Sequence, residues 1–157
     1  MNVQTRSSMI LKRTVLSPLL ALGLLLLACQ DHLDSIVTLK ATLDGNSVKP
    51  LAIITSATGM FTGKLDLTTK VLDYSLSYSN LSATSVVAHL HQASGVNGTG
   101  LVDIIIPTGS NTSGSITGTS FPLRQAQVDS LVAGFYYVDL HTVTYPAGEI
   151  RGEVIKQ

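Results

Sequence analysis

Cysteine occurs once in this 157-residue chain, at Cys29, and tryptophan not at all. A lone cysteine excludes an internal disulfide and any paired-cysteine zinc site, so packing must hold the fold. Charged residues are scarce, at 13%, and balance to zero. They form no basic stripe, so the electrostatic footprint of a nucleic-acid binder is missing and no nucleic-acid partner is expected. No glycine-rich phosphate loop and no G-x-S-x-G nucleophile elbow occurs, which removes common signatures of nucleotide and acyl-transfer chemistry. Aromatics make up only 5%. Phe135, Tyr136 and Tyr137 stand in a row and read as core and rim of a strand rather than a sugar-stacking platform.

What is present begins with an export signal. "MNVQTRSSMILKR" carries Arg6, Lys12 and Arg13 with no acid, and the apolar run "TVLSPLLALGLLLLAC" follows it. A basic start and a short apolar run make a signal peptide, too short and wrongly flanked for a membrane span. Leu26-Leu27-Ala28-Cys29 resembles the bacterial lipobox. That resemblance implies cleavage before Cys29 and acylation of its sulfur and amine. Residues 1–28 are then a lipoprotein signal peptide and 29–35 an acylated cysteine with a polar tether. Several acyl chains on one terminus anchor stably where one would not, so the membrane is an expected partner. The tether "QDHLDS" is similar to the acidic tethers of exported lipoproteins, and Gln30 is not the aspartate associated with inner-membrane retention. The expected address is the cell envelope at the outer membrane, on its periplasmic or surface face. Removing Arg6, Lys12 and Arg13 leaves seven basic against ten acidic residues, a formal charge of −3.

The remaining segment, 36–157, is long enough for one domain with a sizeable core. It reads as β throughout. In "KVLDYSLSYSNL", Leu72, Tyr74, Leu76 and Tyr78 alternate with Asp73, Ser75, Ser77 and Ser79, the period-two pattern of a half-buried antiparallel strand. "SIVTLKATL" ends at "DGN", a hairpin-type turn. "TSVVAHLHQA", "LVDIIIP", a short strand around Ile116, "FYYVDLHTV" and "EIRGEVIKQ" complete the series. "LRQAQVDSLVAG" breaks it: Val128, Leu131 and Val132 have helical spacing, and Gly134 is placed as a helix C-cap. The expected class is all-β, an antiparallel two-sheet sandwich or flattened Greek-key barrel with one short helix.

The four histidines are unevenly placed: "VVAHLHQASGVNG" holds two of them one residue apart. Strand side chains at i and i+2 point the same way, so His89 and His91 share a face, opposite Val86, Ala88 and Leu90. Tyr137, Asp139 and His141 share a face of a later strand, and Glu149, Arg151 and Glu153 a face of the last one. Converging faces would bring three imidazoles together, with Asp139, Glu149, Arg151 and Tyr137 behind them as supporting groups. Two histidines at i, i+2 with a third from another strand is a pattern that zinc and copper sites on sheets use. The same residues also suit a metal-free hydrogen-bond network, with Arg151 paired to Glu149 or Asp139. His32, in the tether, is expected to be solvated.

"ATLDGN", "LDYSLSYSNL", "AHLHQASGVNGTGLV", "GSITGTS", the helix ending "LVAG", and "FYYVDLHTVTYPAGEIRGEV" follow one another in an order that resembles the CHRD (chordin-like) domain family. The resemblance runs from about Ile36 to Ile155 and implies a β domain of no defined chemistry. The segment "SVKPLAIITS" departs from the family's proline-rich stretch; it is expected to touch a loop and not the histidines. The HxH strand, later histidine and arginine-bearing last strand are also similar in order to copper/zinc superoxide dismutase. That enzyme's bridging-histidine loop, zinc aspartate and disulfide cysteines are read as having no counterpart, so dismutation is not implied. Two functions follow as expectations. The first is an exported, lipid-anchored, non-catalytic module binding an envelope protein or polysaccharide. The alternative is storage or sequestration of copper or zinc at His89, His91 and His141, with a redox metalloenzyme behind it.

Overall fold

The alternation of the sequence becomes eight strands and one helix in the computed structural model, which describes residues 35–95 and 97–157. The expected signal peptide, Cys29 and nearly all of the tether lie outside the described residues. Strand β1 (Ile36–Asp44) buries Val37, Leu39, Ala41 and Leu43 and turns Thr38 and Thr42 outward. Strand β2 (Thr58–Asp66) buries Phe61 and Leu65, and β3 (Leu72–Ser79) buries Leu72, Leu76 and Tyr78. There follow β4 (Ser85–Ala93), β5 (Gly100–Ile106), β6 (Gly114–Thr119), α1 (Gln125–Val132), β7 (Tyr136–Thr142) and β8 (Ile150–Lys156). Among the described residues no helix is long and apolar enough to cross a membrane.

All the strands join one antiparallel sheet in the order β5-β4-β7-β8-β1-β2-β3-β6. The all-β antiparallel class and the single short helix hold. The two layers of the expected sandwich are halves of one curled sheet. Both halves bury one face in a single core that joins Leu39, Phe61 and Leu76 to Leu90, Val138 and Ile150. Curling is what lets a single sheet cover its own apolar face. The links β3–β4 and β5–β6 cross between the halves side by side, with Leu81 N–H donating to the Thr112 carbonyl and Ser85 N–H to that of Asn111.

Helix α1 closes the core with Val128 and Leu131. Gln127 serves twice. Its side-chain oxygen accepts from the Arg124 backbone N–H at 2.8 Å, capping the helix start, and its amide donates to Asp103 at 2.7 Å. Asp103 can reach it because the β4–β5 register slips at Leu90/His91 and frees that residue from the ladder. Asp103 also accepts from the buried Tyr136 hydroxyl, and burial with that bond raises the phenol pKa. Gly134 ends the helix with φ +77°, the left-handed conformation expected of it.

Two local expectations change. Val86 was expected on the apolar inner face with Ala88 and Leu90, yet it is 54% exposed while Ser85 is buried. The β4–β7 register shifts between Ser85 and Val87, and a one-residue slip reverses every side chain before it. "DGN" does not make a tight hairpin either. β1 and β2 pair as far as Asp44 and Thr58, and the connection between them is a long loop. Asp44 Oδ1 accepts from Ser47 N–H at 2.8 Å and the Gly45 carbonyl from Ile53 N–H at 2.8 Å, which folds the loop back over the sheet.

Gly152 marks where β8 passes closest to β1. A Cβ there would lie well inside contact distance of the Thr42 carbonyl, so a side chain must push two backbones apart. Gly152→Ala is expected to destabilise the domain by about 2 kcal/mol, within the range for overpacking. Urea denaturation checks this; a midpoint equal to wild type would contradict the close approach.

Candidate metal centre

Strand register builds the cluster. Across β4–β7, His89 stands opposite Asp139, Val87 opposite His141 and His91 opposite Tyr137; across β7–β8, Asp139 faces Arg151 and Tyr137 faces Glu153. These side chains lie on the outer face, away from the core, yet they are shielded. His91 is 8% exposed, Asp139 7% and Arg151 3%. Three loops supply the cover: Val48 and Lys49 from β1–β2, Thr99 from β4–β5, and Ala147 and Gly148 from β7–β8. Between loops and sheet remains a cavity of about 140 Å³ bordered by His91, Tyr137, Asp139, His141 and Arg151.

Main-chain carbonyls orient two of the imidazoles. His91 Nδ1–H donates to the Gly100 carbonyl at 3.0 Å and His141 Nδ1–H to the Pro146 carbonyl at 2.9 Å. A carbonyl only accepts, so each Nδ1 carries a proton and each Nε2 turns toward the cluster, holding a lone pair in the neutral ring and donating in the imidazolium. His141 Nε2 lies 3.0 Å from Asp139 Oδ1 and 3.0 Å from His89 Nδ1. His89 Nδ1 is 3.8 Å from Asp139 Oδ1. His91 Nε2 lies 3.2 Å from Asp139 Oδ2 without hydrogen-bond geometry, and this buried nitrogen has no hydrogen-bond partner among the described residues.

The donor atoms of His89, His91, Asp139 and His141 all lie within 4.8 Å of one another. Ligands about 2.0–2.1 Å from a tetrahedral zinc stand about 3.3 Å apart. The separations from Asp139, at 3.0, 3.2 and 3.8 Å, lie near that edge, while the whole donor set spans up to 4.8 Å. Asp139, expected behind the imidazoles, stands among them, one oxygen toward His141 and the other toward His91.

The electrostatics follow from that arrangement. Burial alone would raise the Asp139 pKa, but the hydrogen bond from His141 and the nearby His91 outweigh it and lower the pKa to about 2. Burial also opposes the charged form of His141; the Asp139 hydrogen bond and charge overcome it and raise that pKa. His89 is lowered, first by burial and then by the neighbouring His141. The carboxylate is therefore ionised at all ordinary pH values and supplies a fixed negative charge among the imidazoles.

Tyr137 and Arg151 brace His91. The tyrosine ring stacks on the imidazole at 4.6 Å between centroids with a 4° tilt, and the guanidinium sits 3.6 Å above the other tyrosine face. Arg151 also donates to Glu153 at 2.6 and 3.1 Å and to the Gly98 carbonyl. It pairs with neither Glu149 nor Asp139.

Glu149 belongs to a different network. It accepts from Thr55 Oγ1 at 2.8 Å, Ser82 N–H at 2.8 Å, Ser82 Oγ at 3.0 Å and Thr142 Oγ1 at 2.9 Å. One fully buried carboxylate thus ties the β1–β2 loop and the β3–β4 crossover to β7. Residues of "SVKPLAIITS" do reach the histidines, contrary to expectation, because Val48 and Lys49 wall the cavity. No pattern in the sequence announces that contact, nor the orienting carbonyls of Gly100 and Pro146.

Burial raises the Glu149 pKa, but the Ser82, Thr55 and Thr142 hydrogen bonds outweigh it and the net shift is downward. Its contribution to stability is full above the unfolded value of about 4.3 and is lost as pH falls through the lower folded value. Glu149→Gln turns an amide donor toward hydroxyls that already donate, and a loss of about 2 kcal/mol is expected at neutral pH. Below about pH 4.3 the wild type should lose stability more steeply than the variant. Urea titrations across pH check both; parallel pH profiles would contradict the role given to Glu149.

The CHRD domain family model matches residues 39–154. No curated protein and no solved structure matches the chain.

Proposed function

The chain belongs to the CHRD domain family, and from that premise we propose that it is a lipid-anchored envelope module that holds a zinc or copper ion through His89, His91, His141 and Asp139. One observation carries the reading. His91 Nε2 is buried, lacks a hydrogen-bond partner, and faces a carboxylate oxygen at 3.2 Å while its Nδ1–H is already committed to a carbonyl. An uncompensated lone pair beside a buried carboxylate is costly, and a cation between the two relieves it. Imidazole and carboxylate donors suit zinc and copper(II). The carbonyls behind His91 and His141 are the outer partners that fix the tautomer in metal sites.

Holding is favoured over turnover by how the neighbouring groups are spent. Glu149 is bound by three segments, Glu153 is taken by Arg151, and Tyr137 is stacked with its pKa raised by burial. None is left facing the cluster as an acid or base in reach of a bound water. Storage or sequestration of the ion in the envelope fits that inventory. A docking role is favoured by a separate observation. Leu101, Val102 and Ile105 are exposed on the edge strand β5, an apolar margin suited to an envelope protein.

Dialysis of the soluble domain against zinc and copper separately is expected to give one bound ion per chain, raising the melting temperature. His91→Ala with Asp139→Asn is expected to abolish both effects while leaving the metal-free fold intact. Occupancy should fall as pH drops through the imidazole range near about 6.5, because protons compete for the same lone pairs. Equal, substoichiometric metal in wild type and variant would overturn the reading in favour of a metal-free network. The anchor has its own test. Cys29→Ser is expected to eliminate labelling by a fatty-acid probe and release the protein from the membrane fraction; undiminished labelling would refute the lipid attachment.

A further inference from the structure

Lys49 is the one cation at the cavity mouth for which no carboxylate partner stands within 4.0 Å among the described residues. The ion pairs formed there are those of Asp139 with the histidines and of Arg151 with Glu153. Lys49 comes from the β1–β2 loop and borders the same 140 Å³ space as His91, Asp139, His141 and Arg151. Arg151 is neutralised by Glu153 at 2.6 Å. A dication held by three neutral imidazoles and Asp139 keeps net positive charge after that carboxylate is counted, and Lys49 adds to it. Val48, Ala147, Gly148 and the Tyr137 ring share the walls with Thr99 and the charged and imidazole groups. A partly enclosed cavity of one sign concentrates the opposite ion.

We propose that this cavity binds a small anion as a co-ligand of the metal, seated between the ion and Lys49. The proposal rests on the metal reading above and deepens it by naming a fifth ligand that the ion takes on its cavity side. The cavity of about 140 Å³ is several times what one water needs, which admits a compact anion such as bicarbonate or azide. Zinc-type ions accept a fifth ligand of this kind. The second opening, the groove bordered by Val86, Val87, Val143 and Pro146 beside His89 and His141, has no lysine or arginine in its lining.

The test uses cobalt(II) as a stand-in whose visible bands report its ligands. One cobalt per chain is loaded, and azide and then bicarbonate are titrated in. Saturable changes in the bands are expected with either anion. Lys49→Met, an exposed loop position outside the ligand set, should bind cobalt with unchanged stoichiometry and the anion about tenfold more weakly, as expected on losing one charge-assisted contact. Cobalt bound with bands that neither anion moves overturns the anion site and leaves the metal reading standing. Anion binding equally tight in Lys49→Met overturns its placement in this cavity. A chain that takes up no cobalt removes both.

Discussion

The pairing of β4 with β7 is the constraint from which the site follows. With His89 opposite Asp139 and His91 opposite Tyr137, the outer face of adjacent strands carries two imidazoles against one carboxylate, and His141 follows from period two along β7. A slip of one residue would turn these side chains into the core and bring Leu90, Val138 and Leu140 to the surface. Those three are fully buried, so the hydrophobic effect that holds the sheet also holds the polar cluster in register. Core and site are two faces of the same strands. A mutation on either face is felt by the other through the ladder.

An outer face does not ordinarily bury charged groups. Here loops take the place of a second layer, and their own polar contacts make the cover possible. Gly100 and Pro146 each give a carbonyl to an imidazole, Gly98 gives one to Arg151, and Glu149 fastens the β1–β2 loop to β7. These contacts hold the Nδ1 of His91 and of His141 and turn both Nε2 atoms toward Asp139. In such surroundings a carboxylate is worth far more than in water, which is why Asp139 stays ionised despite its burial. On the proposed metal reading the same geometry makes protons and metal alternatives: both would compensate Asp139, and both would occupy the same imidazole lone pairs.

Much of the fold was legible because alternation is a direct imprint of a half-buried strand. Leu72, Leu76 and Tyr78 point inward as the pattern of β3 requires, and Gly134 ends α1 as its position after Val132 implies. Period two also placed His89, His91, Asp139, His141 and Arg151 on common faces. Three things were not legible. Register irregularities, which expose Val86 and free Asp103, depend on cross-strand partners and leave no mark in one strand's pattern. Curling of a single sheet produces the same alternation as two stacked sheets. The third is loop cover: Val48 and Lys49 come to the histidines through Asp44, Gly45 and Glu149 contacts far apart along the chain. The different fates of Asp139 and Glu149, both expected behind the imidazoles, have the same origin: strand register sets Asp139 opposite His89, while loop contacts from Thr55 and Ser82 draw Glu149 into a separate network.

The lone cysteine acquires a second meaning in this light. With Cys29 at the proposed anchor, the folded domain has only imidazole and carboxylate donors with which to take a transition metal. A thiolate-free set discriminates against copper(I), which prefers soft sulfur, and retains zinc and copper(II). It is also immune to the thiol oxidation that threatens a free cysteine outside the cytoplasm. Between zinc and copper(II) the intrinsic order favours copper, so a site of this composition reports the supply of ions in its compartment as much as its own preference. What the chain itself contributes is geometry: Asp139 opens its two oxygens toward different histidines, Oδ1 toward His141 and Oδ2 toward His91.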